Sequence, residues 1–185
     1  MLRIGSRDPR ERGFIHLDIA QHGSADVLGD ARAMPFRDGT FDLIVAVAVL
    51  EHVRAPHEVA SEFHRLLKPG GTLYCAVPFV TMFHPDPLDA QRYTVTGLAD
   101  LFGDLRCVEN GVELGPASAV SLVLREFLAI LFSFNSRLLY NLAQVLFGYL
   151  TLPLKFLDRF LVWNRFAFMI ACSVYFVGMK DDREE

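Results

Sequence analysis

The chain has 185 residues, enough for one domain with a real core, and 52% of them are hydrophobic with a mean hydropathy of +0.28. A net charge of −4 and the lack of any basic run exclude a nucleic-acid surface. Cys75, Cys107 and Cys172 are scattered in apolar surroundings. They read as buried, reduced thiols of a cytoplasmic protein, and they lack the paired spacing of a zinc site.

In chain order, "MLRIGS" (1–6) reads as a short buried strand, "GFIHLDI" (13–19) as the second, and "ADVLGD" (25–30) as a third ending at Asp30. "MPFRDGTFD" is a loop with an Asp-Gly turn. "FDLIVAVAVL" (41–50) has no polar face, as suits a parallel strand covered on both sides. Within "EHVRAPHEVASEFHRLLKPGG" (51–71), Val59, Phe63, Leu66 and Leu67 recur at helical spacing. Lys68 falls in the last turn of that helix, and Pro69-Gly70-Gly71 stops it. His57 and His64 lie seven apart on it and read as surface or packing residues. "TLYCAVPF" (72–79) is the next buried strand, "GLADLF" (97–102) a short helix, and "DLRCVENGVEL" (104–114) holds another strand. Residues 117–168 are mainly helical and apolar, and "ACSVYFVGMK" (171–180) is the last strand. Apolar strands alternating with helices define an α/β fold with a mostly parallel sheet. One domain is expected over 1–185, with 117–168 as an apolar helical insertion within it.

That insertion is also the basic part of the chain. Arg125, Arg137, Lys155, Arg159 and Arg165 face only Glu126 and Asp158. Its longest charge-free run, Leu138–Leu154, contains Asn141, Gln144 and Pro153 and is shorter than the roughly 20 apolar residues of a spanning helix. Two readings stay open. The insertion is a hairpin lying peripherally at the inner face of an anionic membrane, or it is a pair of cap helices packed on the sheet or on a second copy in a homodimer.

In open parallel sheets, ligands bind beyond the carboxyl ends of the strands, where strand order reverses. The exits here are Gly5, Ser6 and Arg7; Asp18 and Ile19; Asp30 and Ala31; Leu50, Glu51 and His52; and Pro78 and Phe79. An acid closing the second strand suits the two hydroxyls of a ribose. Asp30 can accept from the amine of an adenine, Ala31 can offer its backbone amide, and Met34 or Phe36 can cover the ring. A lone Asp after a strand is usually a cap or turn residue; two in register weigh against that. His52 and His84 are candidate bases, with Asp86 or Asp89 as orienter. His52 reads equally well as a structural histidine, and Asp89 can simply pair with Arg92, three residues on at a helix start.

With these residues in place, "DARAMPFRDGTFDLIVAVAVLEHVRAPHEVASEFHRLLKPGGTLYCAVPF" resembles the central half of a class I S-adenosylmethionine-dependent methyltransferase. "FHPDPLDAQRYT" followed by "GLADLF" is similar to a bacterial branch of that family. The resemblance covers about residues 2–110 and the last strand. It implies a Rossmann-like seven-stranded sheet with the last strand antiparallel, and S-adenosylmethionine as cofactor. It further implies Gly5, Asp18, Asp30 and Ala31 in cofactor binding, and Leu50, Glu51 and His52 at the methyl end. Ile19 joins the cofactor set from its strand exit and His84 the catalytic side as a candidate base; no metal is expected, because nothing else with ligand spacing supports His84, Asp86 and Asp89. Methyl transfer from a sulfonium needs in-line positioning and exclusion of water, with a base only for an acceptor that must lose a proton. The implied acceptor is a small molecule or a glycan or lipid-linked group. The sequence departs from the family at its opening loop: Arg7 stands at the second glycine position, and only 13 residues separate Gly5 from Asp18 where about 20 are usual. That departure motivates the alternative, an inactive methyltransferase-like scaffold or membrane-docked module.

Overall fold

The structure, a computed structural model, describes residues 1–5, 12–19, 25–85 and 88–182. Its strands are β1 (Leu2–Ile4), β2 (Ile15–Asp18), β3 (Val27–Leu28), β4 (Phe41–Val47), β5 (Leu67–Pro78), β6 (Arg106–Leu114) and β7 (Ser173–Met179). Its helices are α1 (Pro56–Leu66), α2 (Val95–Leu101), α3 (Pro116–Leu131), α4 (Arg137–Thr151) and α5 (Asp158–Leu161). The strands form one seven-stranded sheet in the order β3-β2-β1-β4-β5-β7-β6. β1 pairs in parallel with β2 and β4, β2 with β3, and β4 with β5. β7 runs against β5. Gly70, early in β5, donates to the carbonyl of Lys180 beyond β7, whereas Phe79 beyond β5 donates to that of Cys172 before β7. Strand order therefore reverses between β1 and β4, and the last strand is antiparallel, as the family resemblance implies.

The chain divides into two compact units. The first comprises Met1–Val77, Pro85–Gly111 and Tyr175–Glu185; the second comprises Pro78–His84 and Val112–Val174. In the first, strand residues Leu2, Ile4, Leu17, Ile44 and Leu73 are buried together with Val59, Phe63 and Leu66 of α1. The stripe predicted on α1 is thus its buried face. Phe102, just past α2, stacks on Phe63 and on Phe176 of β7, with ring centroids 6.2 and 5.2 Å apart.

Two local details differ from the sequence reading. α1 ends at Leu66, before the Pro-Gly-Gly stop, because Leu67 is already extended and pairs with Phe41. The next described pair of that ladder is Leu43↔Thr72, so residues 68–71 bulge out of it, and Gly70 takes φ +73 there. Lys68 therefore lies outside the helix, where its Nζ bonds Asp42 at 2.8 Å. Cys75 and Cys172 are buried as expected, but Cys107 is exposed, because β6 is an edge strand.

The loop after Ala33 is fixed by one arginine. Arg65 donates to Glu62 (2.7 Å), to Asp38 (2.6 Å) and to the carbonyls of Phe36 (2.9 Å) and Met34 (3.2 Å), while Glu62 accepts the Met34 amide at 2.8 Å. The Arg65 guanidinium, helped by that amide, holds the Glu62 carboxyl below its ordinary range.

In the second unit α3 and α4 run antiparallel. Ser121 of α3 donates to the carbonyl of Thr151 at the end of α4, while Glu126 further along α3 accepts from Tyr140 near the start of α4. Asp158 caps α3 from 41 and 40 residues away, accepting the amides of Ala117 and Ser118 at 2.8 Å each. Among the described residues, no helix is long and apolar enough to cross a membrane.

Glu62→Gln is expected to cost about 1–3 kcal/mol at neutral pH, the worth of hydrogen bonds to a charged partner. A carboxyl held low in the folded state stabilises above its unfolded value and loses that contribution as pH falls through its folded value. The gap between wild-type and variant urea midpoints should therefore close in acid.

Candidate functional site

Sheet register brings the strand exits of the first unit to one edge. Ile4 pairs with both Leu17 and Ala46, and Asp18 pairs with Leu28. Gly5 therefore leaves the sheet beside Asp18 on one side and the end of β4 on the other. Its amide donates to the Leu17 carbonyl (3.0 Å), and the Gly29 amide donates to that of Asp18 (2.9 Å). Gly5 has φ +69, and a Cβ there would stand 2.7 Å from Val49 Cγ2, so both conformation and space demand glycine. Val49 is carried there by Ala48, which takes φ +54, an uncommon conformation for a residue with a side chain. Ala48 turns β4 into a single 3-10 turn, Leu50–His52. Leu50 and Glu51 are wholly buried, backbone included, so His52 is the member of this turn that a ligand can reach. Ile19 is 68% exposed.

The two aspartates differ. Asp18 is half-buried at the end of β2. Asp30 is already engaged: its carboxylate accepts the Arg32 amide (2.9 Å), Arg32 Nε (3.0 and 3.1 Å) and Arg32 Nη2 (2.7 Å). That pairing lowers the Asp30 pKa. An amine meeting Asp30 must share or displace Arg32. Ala31 and Met34 are buried beside it, whereas the Phe36 ring packs edge-on against Phe41 with centroids 5.0 Å apart.

The strand exit at Leu50–His52 is held by residues 88–93. His52 Nδ1 contacts the Leu88 carbonyl, Ala90 donates its amide to the Glu51 carbonyl (2.8 Å), and Gln91 Nε2 donates to that of Val53 (2.8 Å). A carbonyl partner requires Nδ1 to carry the proton, which leaves the imidazole lone pair on Nε2, 3.8 Å from Glu51 Oε1. The Asp89–Arg92 pair forms as expected, with Arg92 Nη2 2.6 Å from Asp89 Oδ2, but it lies ahead of α2, not at a helix start, since Thr94 is the cap of α2. Tyr93 donates to Gln91 Oε1 at 3.0 Å. Burial first, then Cys75 and Glu51, pushes its phenol up to about 12, so it stays a donor.

His84 belongs to the second unit. It is exposed, its Nδ1 lies 3.0 Å from the Met82 carbonyl, and it lines a hollow of about 440 Å³ together with Thr81, Arg125, Glu126, Tyr140 and Gln144. There Glu126 accepts from the Tyr140 hydroxyl and from Gln144 Nε2, each at 2.5 Å, and so raises the Tyr140 pKa. Ser6, Arg7 and the rest of the opening loop, and Asp86, lie outside the described residues. Sequence reasoning missed Arg32, although it stands two residues from Asp30 in an exposed turn. It also missed the hollow, whose signal is a polar set inside apolar helices: Arg125 and Glu126 side by side, and Tyr140 and Gln144 one turn apart.

The family profile described as Methyltransferase domain matches residues 12–75. Residues 12–75 are thus similar to that domain, and the strand order above is the Rossmann-like fold of class I S-adenosylmethionine-dependent methyltransferases. Over 75 residues the chain is 36% identical to the mitochondrial 2-methoxy-6-polyprenyl-1,4-benzoquinol methylase of Bos taurus, a match spanning 40% of this chain and 21% of that protein. It is equally identical, over the same length, to the demethylmenaquinone methyltransferase of Anoxybacillus flavithermus, where the match spans 29% of the relative. The chain thus spans less than a third of either relative. Among solved structures, it resembles a chain from the complex of the Haloferax volcanii Trm112 methyltransferase activator with a methyltransferase (TM-score 0.58, 17% identity, 100% of this chain and 82% of that one). It also resembles a Haemonchus contortus phosphoethanolamine N-methyltransferase solved with S-adenosyl-L-methionine (TM-score 0.57, 13% identity, 97% and 48%). At these identities the solved structures speak for the fold alone.

Gly5→Ala is expected to destabilise the chain by about 1–3 kcal/mol through strain and the Val49 clash, read as a lower urea midpoint. Arg32→Ala should leave melting nearly unchanged while the Asp30 carboxyl rises back toward its ordinary range in a carbon-13 NMR titration.

Proposed function

We propose that the first unit binds S-adenosylmethionine at its strand exits and that the chain transfers a methyl group to a small-molecule, glycan or lipid-linked acceptor. The observation that carries this reading is the register: Gly5, Asp18, Asp30–Ala31 and Leu50–His52 leave one sheet edge together. When bound, the cofactor supplies a methyl group already activated on a positively charged sulfur. Asp18 takes the ribose hydroxyls, Ala31 offers its amide to the adenine edge, and Asp30 accepts the adenine amine once Arg32 turns away. Gly5 keeps the β1 exit free of a side chain. His52, with its lone pair on Nε2 and the buried Glu51 carboxylate beside it, takes the proton of an acceptor hydroxyl or amine. His84, in the second unit's own hollow with Tyr140 and Arg125, is the other candidate base. Relatives named as a polyprenyl-benzoquinol methylase and a demethylmenaquinone methyltransferase favour the lipid-linked limb of that choice.

The second reading, a methyltransferase-like module without catalysis, draws on the Asp30–Arg32 pair, which already fills one expected ligand position. Calorimetric titration with S-adenosylmethionine and with S-adenosylhomocysteine separates the two. Saturable heat and a higher melting temperature are expected, whereas no heat and no thermal shift at millimolar ligand would sink the enzyme reading. Asp18→Ala should weaken binding at least about tenfold, the worth of a charge-assisted hydrogen bond, with melting retained. Methyl transfer is read as radiolabel passing from S-adenosylmethionine into a bacterial lipid extract. His52→Ala should lower that transfer about 100-fold or more while leaving cofactor affinity in place.

A further inference from the structure

In the second unit the ordinary rule of burial is reversed. α3 buries Ala117, Ser118, Ala119, Ser121 and Ala129, and α4 buries Ala143 and Thr151. The large side chains point outward, among them Phe127 and Ile130 on α3 and Leu138, Val145 and Tyr149 on α4. In water, the large apolar residues of a helix pair go inside. Small residues between the helices and large ones outside is the arrangement helices adopt in lipid. The stretch after α4 continues it: Phe156, Phe160 and Trp163 are 74%, 72% and 87% exposed. The hairpin is nevertheless too short to span. Sixteen residues of α3 rise about 24 Å, against roughly 30 Å of hydrocarbon.

Charge selects the occupant of this face. Between Pro116 and Ile170 the two acids are used internally: Asp158 caps α3, and Glu126 is bonded to Tyr140 and Gln144. Arg137, Lys155, Arg159 and Arg165 remain exposed among the apolar side chains, the Arg165 guanidinium 4.5 Å over the Phe166 ring. A second copy docked by the same face would set one cation-bearing surface against another, with both acids of the segment already engaged internally. Anionic headgroups complement them, and aromatic residues such as Trp163 and Tyr149 suit the boundary between headgroup and chain.

We propose that this face is a monotopic anchor, with α3, α4 and residues 152–170 lying along an anionic bilayer. Phe156, Phe160 and Trp163 enter the acyl boundary, and Arg137, Lys155, Arg159 and Arg165 meet lipid phosphates. The inference is independent of the methyltransferase reading, because it uses no residue of the first unit.

Trp163 is the only tryptophan, so the full chain carries its own probe. With vesicles of phosphatidylcholine mixed with phosphatidylglycerol, the protein should float, its emission should shift to the blue, and brominated lipids should quench it. Lys155→Glu with Arg159→Glu should weaken partitioning about tenfold or more, as expected for reversing two surface cations, and raised salt should act in the same direction. Phe160→Glu should reduce flotation with the circular dichroism spectrum unchanged; if that variant misfolds, the charge pair remains the deciding one. Protein left in the dense fraction with unshifted emission overturns the proposal. So does a blue shift that grows with protein concentration without lipid and accompanies a dimer mass in light scattering, which would assign the face to a second copy.

Discussion

The first unit depends on one close approach, that of the β1 exit to the β4 exit. Gly5 and Val49 come so near that any side chain on Gly5 would collide, and Ala48 adopts a left-handed conformation to bring Val49 there. The shape of the neighbouring strand exit depends on that geometry. With Ala48 turned, the chain enters the Leu50–His52 turn, and the Glu51 and Leu50 side chains drop into the core. Ala48 and His52, on either side of these buried residues, are what remains accessible for a ligand at the switch point. Uncommon backbone conformations persist where surrounding structure over-determines them. Here the Ala48 amide is tied to Ala76 on the neighbouring strand, and residues 88–91 bond to the turn itself.

Two polar devices hold the rest of that edge. Arg65 gathers two carboxylates and two carbonyls and so fixes the loop that carries Met34 and Phe36. Arg92 takes both oxygens of Asp89, whose side chain is only 1% exposed, and thereby holds the segment that contacts His52. In both cases a guanidinium makes a set of bonds that a lysine could not, because the planar fork satisfies several acceptors in one geometry. The segments around the site are loops: the first is pinned to α1 by charge-assisted bonds, and the second is braced internally by Asp89–Arg92 and tied to the adjoining turn by the amides of Ala90 and Gln91 and by His52.

The sheet was legible because its strands are apolar throughout and separated by turn residues, so "FDLIVAVAVL" and "TLYCAVPF" could be placed without knowing their neighbours. Gly5, Asp18 and Asp30 were legible as strand exits for the same reason. Other features depended on tertiary pairing and left little local trace. α1 stops at Leu66 because Leu67 is claimed by Phe41, a contact 26 residues away in sequence, and the Pro-Gly-Gly behind it shapes a bulge instead of a helix end. The exposure of Cys107 follows from β6 lying at the sheet edge, which strand composition does not reveal. The capping of α3 by Asp158 joins residues about 40 apart, so no spacing rule could find it.

The two units obey opposite solvent rules within one chain. The first hides Phe63, Phe102 and Phe176 and keeps most of its charges outside, Glu51 and Lys180 being buried exceptions. The second hides alanines and serines, uses its acids to close its own backbone and side-chain donors, and leaves aromatics and cations outside. Several polar atoms inside that unit are matched within the hairpin, although Arg125 Nε is buried without a hydrogen bond. Ser121 meets the last carbonyl turn of α4, Thr151 donates back to Phe147, and Glu126 joins the two helices. A hairpin that only capped a sheet in water would gain nothing from placing its polar groups between its helices and its phenylalanines on the surface. The same distribution suits a segment whose outer solvent is partly hydrocarbon, since internal bonds are then the only ones its polar groups can rely on.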